Sequence, residues 1–495
     1  MKEKREKVMA TPAAKGAVMY NGDAKKKETL KEGFIRRVKD NTKSRWIRFG
    51  VVSLIFFAWV VWMNNYWFLL LYPLLFDIYI TGYIPFTWWK KDKRPWVRKT
   101  MSWVDAIVYA LVLVYFVFGF LGQNYMIPSS SLEKTLLTGD YLVVDKVTYG
   151  PRVPITPINF PLVHNTIPKL GIDSYLDWPE NDYRRLPGLR SVEENDIVVF
   201  NFPAGDTVAT KYEETSNYYD LVKQFGKAAV TTDKSRFGDI KHRPVDRRVN
   251  YVKRCVGLPG DTFKIVNDVI TINGEPRKQP EHVQFAYFVG INQPLSKEYI
   301  DQLGITPSDV VMLDTNNELS GSLMRGYNYL YWLPLTSEMK ANLESIGAKA
   351  IKVSDVRKQP LELMFAEEIS QGWTLSDWGG SQGVVIPKKG MSVEMNDRNW
   401  HLYKRAIRVY EGNPDAKYEN GKLYIGGNEM DSYTFKMDYY FMMGDNRDLS
   451  LDSRFWGFVP EDHIVGRPLL VLASFDRENG GVRWNRIFRS PNPDK

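Results

Sequence analysis

Cysteine is almost absent: Cys255 is the single thiol in 495 residues, so no intrachain disulfide can form in any redox compartment. Histidine is scarce too. Five scattered residues, with neither an HExxH nor a CxxC pair, leave a zinc site without ligands at useful spacing, and neither a metal nor another cofactor is expected. There is no internal repeat and no low-complexity run. Nor is positive charge spread along the chain. Residues 1–103 carry 21 Lys and Arg against eight Asp and Glu, a surplus of 13 that exceeds the +8 of the whole chain and leaves the remainder acidic. Basic residues gathered beside the most apolar part of a chain point to a membrane surface rather than a nucleic-acid groove. No nucleic-acid partner is expected.

What is abundant near the N-terminus is aromatic and aliphatic sequence. A helix needs roughly 20 mostly apolar residues to cross a bilayer core, and 46–63, 66–86 and 104–121 approach that length. Asn64 and Asn65 separate the first two. The second and third are separated by loop 87–103, whose stretch KKDKRPWVRK (90–99) is strongly basic. Positive loops stay on the cytoplasmic side, so the basic tail 1–45 and loop 87–103 are read as cytoplasmic. Three crossings then deliver everything from Gln123 onward to the outside. Within the tail, residues 25–46 read equally as a basic helix on anionic lipid or as a solvated segment.

Beyond residue 122 the pattern changes to short β-branched and aromatic runs broken by Gly, Pro, Asn and Asp, including YLVVDKVTYG, DIVVFNF, NYVKRCVGL, YYFMMGDN and HIVGRPLLVLASF. Such spacing predicts a mostly β, antiparallel domain. VNDVITINGE and ENGKLYIGGNE carry the Asn-Gly and Gly-Gly pairs that hairpin turns require. The interval 264–435 adds helix-compatible pieces, SKEYIDQLG and TSEMKANLESIG. It is read as an inserted α+β cap that handles substrate, interrupting a catalytic domain made of 122–263 and 436–495.

Three stretches carry chemistry, and none decides alone. IPSSSLEKTLLTGDYLVV (127–144) offers consecutive serines just past the third span, but serine needs a neighbouring base to become a nucleophile. YVKRCVGLPGDTF (251–263) puts Lys253 in a β-type run; a lysine acts as a base only when neutral, which burial can achieve. YYFMMGDNRDLSLDSRFWGFVPE (439–461) is dense in Asp, Asn, Arg and Ser. A polar loop, an edge-strand lysine and a polar turn are the respective plain readings.

In this order and behind membrane spans, the three resemble the boxes of the bacterial type I signal peptidases. Those boxes read approximately PSxSMxPTLxxGD, YxKRxxGLPGD and GDNRxxSxDSRxWGxVP, against PSSSLEKTLLTGD, YVKRCVGLPGD and GDNRDLSLDSRFWGFVP here; a further family segment, GDxVVF, meets NDIVVF at 195–200. The resemblance covers roughly 100 residues in segments. It implies a nucleophile at Ser131, a general base at Lys253, oxyanion donors from the Ser129 hydroxyl and the Ser131 backbone, and a base-orienting Ser450. Asp445, Asn446, Arg447, Asp452, Ser453 and Arg454 match positions that support the site in the family, and Asp445 with Arg254 is the ion pair to test first. Ile127, Pro128, Leu132, Leu136, Tyr251 and Val252 match walls of a shallow pocket for small residues. Leu132 and Lys134 depart from the family's Met and Pro, and the stretches 151–194 and 204–249 are longer than in better-known members.

The resemblance therefore implies a serine endopeptidase with a Ser/Lys dyad. Set in the bacterial plasma membrane, it would remove leader peptides after Ala-x-Ala-type sequences from secretory preproteins handed over by the translocation machinery, with membrane lipid as its surroundings. Two rivals stand beside it. One is a transpeptidase using Cys255 as a thiolate; the other is a membrane-anchored paralogue that binds secretory chains without cutting them.

Overall fold

A computed structural model describes residues 30–63, 66–167, 170–213, 215–314, 325–356, 365–366, 368–477 and 480–491. The expectations for the tail before residue 30 and for the Asn64–Asn65 turn lie outside the described residues. The chain falls into two compact units divided between Ser102 and Trp103.

In the first unit, a short helix Leu30–Lys39 precedes the helix Lys43–Met63. At 1.5 Å per residue, the 21 residues of the latter cover about 32 Å, enough for a bilayer core. The second apolar stretch is helical only over Tyr66–Thr81, in successive 3₁₀, α and π turns. It is therefore shorter than the 66–86 read from sequence. It runs back along the first helix: Trp59 meets Phe68 at 4.5 Å between ring centroids, and Phe49 meets Phe76 at 5.4 Å. Two helices of the described chain are long and apolar enough to cross a membrane, Lys43–Met63 and Pro95–Leu121. The latter begins well before the expected Val104 because Pro95 suits the first turn of a helix.

The second unit is built on a seven-stranded sheet. Its strands are β1 (Gly122–Met126), β2 (Asp140–Asp145), β3 (Ile197–Asn201), β4 (Asn250–Gly257), β5 (Tyr439–Met443), β6 (Val459–Pro460) and β7 (Ile464–Ser474). They lie in the order β1-β2-β7-β3-β4-β5-β6, and every neighbouring pair is antiparallel. The expected β-rich architecture is thus observed. Leu132, Leu136, Leu142, Val144, Val199 and Val471 form one apolar cluster beneath the sheet, while Val198, Phe200, Cys255, Met442 and Trp456 form another. β4 sits between β3 and β5, so its backbone is held from both edges.

The Asn-Gly and Gly-Gly signals are where turns occur. Lys417–Glu419, Lys422–Ile425 and Asn428–Met430 form a meander, with Asn420, Gly421, Gly426 and Gly427 all at positive φ. Asn and Gly accept that conformation at least cost. Both helix-compatible pieces are helices, Lys297–Leu303 capped by Ser296 and Ser337–Ser345 capped by Thr336.

The interval 264–435 divides in two. The strands Phe285–Ile291, Val311–Met312, Tyr329–Leu335 and Lys349–Lys352 form a four-stranded sheet with its own apolar cluster around Val289, Leu333 and Leu343. Residues 365–435 instead share one core with the catalytic strands. Trp378 is fully buried against Phe263 and Phe441, and Tyr403 packs on Phe458. Each such buried aromatic contributes roughly 2–3 kcal/mol.

Candidate active site

The serine stretch forms a loop clamped at its base, where the Ile127 amide donates to the Asp140 carbonyl at 2.8 Å and the Gly139 amide to the Ile127 carbonyl at 2.9 Å. Gly139 is at φ 92, and a Cβ there would lie 2.0 Å from the Phe475 carbonyl oxygen, so only glycine closes the loop. Within the loop, Glu133 N–H donates to the Ser130 carbonyl and Leu136 N–H to the Leu132 carbonyl, which winds the chain into a turn around Ser131.

Lys253 projects from the middle of β4, opposite Val198 in register. Its ammonium donates to Ser131 Oγ at 2.6 Å, and both residues are buried, 3% and 8% exposed. Burial pushes Lys253 down to about 8; Asp452 and Asp445 oppose that shift, and Arg454 reinforces it. A serine hydroxyl is thus paired with a lysine that readily becomes neutral. Among the described residues the Ser131 amide donates no hydrogen bond to another backbone group. Ser129 Oγ stands 3.5 Å from Ser131 Oγ.

The third stretch wraps the back of this pair. Asn446 N–H donates to the Ser131 carbonyl at 3.1 Å, and Asn446 Nδ2 to the Ser130 carbonyl at 3.3 Å. Arg254 grips Asp445 with two parallel hydrogen bonds of 2.8 and 2.7 Å, and Thr135 Oγ1 donates to the same carboxylate at 2.7 Å. Although burial pushes the Asp445 carboxyl up, these bonds outweigh it and hold the group below the usual carboxylate range. Arg454 grips Asp452 in the same way, and Asp452 also accepts from the Gly444 amide. Three sequence segments are thereby tied together at one site, with the ion pairs bracing the loop that carries Ser131.

Ser450 is buried, but its hydroxyl makes no hydrogen bond to Lys253. It lies near Asp452, whose carboxyl it helps to hold low. Of the pocket residues, Ile127, Leu132, Leu136 and Val252 belong to one apolar cluster, Tyr251 packs in the other against Phe202 and Trp456, and Pro128 is exposed. Cys255 is wholly buried and its thiol is pushed well up by that burial, so it is held as the thiol rather than the thiolate.

Sequence reading missed two contributors. A Cβ on Gly444 would lie 2.2 Å from Ser450 Oγ and 2.5 Å from the Ser131 carbonyl oxygen, so the absence of a side chain there lets the loop close on the serine. Gln284 threads between, accepting from Arg447 N–H and donating its own N–H to the Asp445 carbonyl, both at 2.9 Å. The glycine of the GDN triplet was a visible signal; Gln284 had none.

This constellation coincides with a match to the family described as signal peptidase, peptidase S26, over residues 100–317 and 385–473. The chain belongs to that family. It is similar to a signal peptidase I of Buchnera aphidicola subsp. Acyrthosiphon pisum, 22% identical over 407 residues that make up 80% of this chain and 83% of that one. It is also similar to one of Haemophilus influenzae, 23% identical over 409 residues, 81% and 78% of the two chains. A signal peptidase I of Helicobacter pylori is 47% identical over 115 residues, 20% of this chain and 38% of that one. Family membership agrees with the apolar helices that precede the sheet.

Proposed function

We propose that the chain is a membrane-bound serine endopeptidase that removes N-terminal signal peptides from secreted preproteins, with Ser131 as nucleophile and Lys253 as general base. The observation that carries this reading is the buried 2.6 Å contact between Lys253 Nζ and Ser131 Oγ. Neutral Lys253 takes the hydroxyl proton as Ser131 Oγ attacks the scissile carbonyl carbon. The oxyanion is met by the Ser131 N–H and the Ser129 hydroxyl. The protonated lysine gives its proton to the departing amine, which becomes the N-terminus of the mature protein. Water, deprotonated by Lys253, then attacks the acyl-enzyme and releases the leader peptide with a free carboxylate.

Ser131 lies ten residues beyond Leu121, the end of the apolar helix, so it stays within at most about 35 Å of that end. An enzyme so tethered reaches a cleavage site held at the membrane by the leader's own apolar segment. The orientation that goes with this has the tail and loop 87–103 in the cytoplasm, with 66–81 completing a third crossing as the return arm of a hairpin. In the outer domain, 264–435 is the inserted cap that handles substrate, and Ile127, Pro128, Leu132, Leu136, Tyr251 and Val252 shape the site for small residues in an Ala-x-Ala pattern.

The test is to incubate the full chain, solubilised in detergent, with a preprotein carrying an Ala-x-Ala leader and to map the product termini by mass spectrometry. Cleavage after the final Ala, abolished by Ser131→Ala and by Lys253→Ala, is the expected result. Retention of cleavage by either variant would sink the dyad.

A further inference from the structure

A cavity of about 380 Å³ lies where the apolar helix ends, with Tyr115, Phe118 and Gly119 of its last turns in the wall. The opposite wall carries Lys146, Arg152 and Arg247. Among the described residues none of these three forms an ion pair; they donate instead to neutral oxygens. Lys146 reaches the Phe118 carbonyl at 2.5 Å, Arg152 reaches Asn201 Oδ1 at 2.8 Å and the Asp462 carbonyl, and Arg247 reaches Thr156 Oγ1 at 2.6 Å. One carboxylate, Asp246, shares the cavity; its Oδ2 accepts from the amide and hydroxyl of Thr156 at 2.9 and 3.1 Å. Three cations against one carboxylate leave a surplus of positive charge in a partly desolvated site, an arrangement that an anion stabilises. Burial, with Arg152 and Arg247 adding to it, pushes Lys146 down to about 7, and burial holds both arginines below their usual values, so a bound anion favours the charged form of each.

The rim is apolar. Phe160 and Leu162 line the cavity and are exposed, and the loop they belong to goes on to expose Leu170, Ile172, Leu176 and Trp178, the last by 83%. Tyr115 of the helix donates to the carbonyl of Pro157 at 2.9 Å, which ties the start of this loop to the helix end. This loop belongs to 151–194, the stretch longer than in better-known members. A cationic cavity, an apolar rim and a protruding Trp beside the end of an apolar helix together match a phospholipid: phosphate in the cavity, acyl chains along Phe160 and Leu162, and loop tip in the interface.

We infer that this cavity binds the phosphodiester head group of an anionic phospholipid of the outer leaflet, anchoring residues 157–167 and 170–178 to the membrane surface beside the active domain. This rests on the membrane reading above but not on the peptidase chemistry, since none of these residues belongs to the Ser131–Lys253 site. The test is native mass spectrometry of the full chain in nonionic detergent, titrated with short-chain phosphatidylglycerol, with inorganic phosphate in a separate arm. The wild-type chain is expected to retain one phosphatidylglycerol, Lys146→Gln to retain about tenfold less at equal lipid, Lys146→Arg to restore it, and Phe160→Ser with Leu162→Ser to weaken it. Inorganic phosphate at millimolar concentration should not displace the lipid. Unchanged retention by Lys146→Gln overturns the site, and displacement by inorganic phosphate as effective as by lipid overturns the lipid assignment. Cleavage of the test preprotein by Lys146→Gln at the wild-type rate shows the variant folded and keeps the two readings separable, because lipid retention is scored without reference to activity.

Discussion

Lys134 reaches across 169 residues to cap a helix of the insertion, donating to the Leu303 carbonyl at 2.6 Å and to the Gly304 carbonyl at 2.8 Å. The first is the last carbonyl of the helix Lys297–Leu303 and the second belongs to its C-cap, at the helix end where a cation is favoured. Lys134 itself sits at φ 72, in the left-handed region that costs a non-glycine residue about 1–2 kcal/mol. Three residues from the nucleophile, the departure from the family's proline has thus become a link between the serine loop and the insertion.

Restoring the proline should therefore damage this chain. Proline holds φ near −65°, so Lys134→Pro should lower stability by more than about 1 kcal/mol. Lys134→Gly should do less harm, since it relieves the strain and loses only the cap. Chemical unfolding of the two variants in detergent checks the order; a proline variant as stable as wild type would show that the loop has a second conformation.

The Arg254–Asp445 pair should behave as an all-or-none unit. Asp445→Asn leaves a fully buried guanidinium without its counter-charge and should cost about 3–5 kcal/mol. The double change Arg254→Met with Asp445→Leu removes both charges and should recover part of that loss. A double-mutant cycle on the unfolding midpoint tests this, with additive losses as the refuting outcome.

What the sequence disclosed and what it hid divide along physical lines. The boxes around Ser131, Lys253, Arg254 and Asp445 were legible because each is contiguous, and β4, which carries Lys253 and Arg254, is long enough to show a β pattern. The turns at Asn420–Gly421 and Gly426–Gly427 were legible because positive φ demands those residue types. Partnership was not legible. Trp378 and Tyr403 join the core of Phe263, Phe441 and Phe458 through strands as short as Val384–Val385, which carry no readable periodicity. The hold of Lys134 on Leu303, and the passage of Gln284 behind Asp445, are contacts between segments whose local sequence says nothing of each other. Ser450 is buried beside the site, yet its hydroxyl has no hydrogen-bond partner among the described residues, a rotamer outcome no sequence pattern encodes.

Gly444 should tolerate no side chain. A methyl group there would press on the Ser131 carbonyl oxygen from 2.5 Å, and because that atom is backbone, the nucleophile must move. Displacements near 1 Å cost about 100-fold in rate. Gly444→Ala should lower kcat on a short leader-derived peptide by at least that factor, while overpacking costs only about 1–3 kcal/mol of stability. Thermal unfolding beside the rate separates the two effects, and a folded variant with normal kcat would mean that the carbonyl does not fix Ser131.

The pH response should carry two opposed signatures. Lys253 titrates near 8 in the folded chain against 10.5 when unfolded, and only its neutral form accepts the serine proton, so kcat/KM should rise with pH and level off above about 8. Between 8 and 10.5 the unfolded chain holds more protons, so this group makes stability rise with pH, by roughly 3 kcal/mol over the full window. Glu133 works the other way. Burial pushes its carboxyl up to about 7 from 4.5, so in that window the folded chain holds more protons and stability falls as pH rises, again by roughly 3 kcal/mol. Glu133→Gln should abolish the fall between pH 4.5 and 7 and leave the kcat/KM profile in place. If the substitution instead moves the rise in kcat/KM away from about 8, then Glu133 rather than Lys253 governs the proton that leaves Ser131.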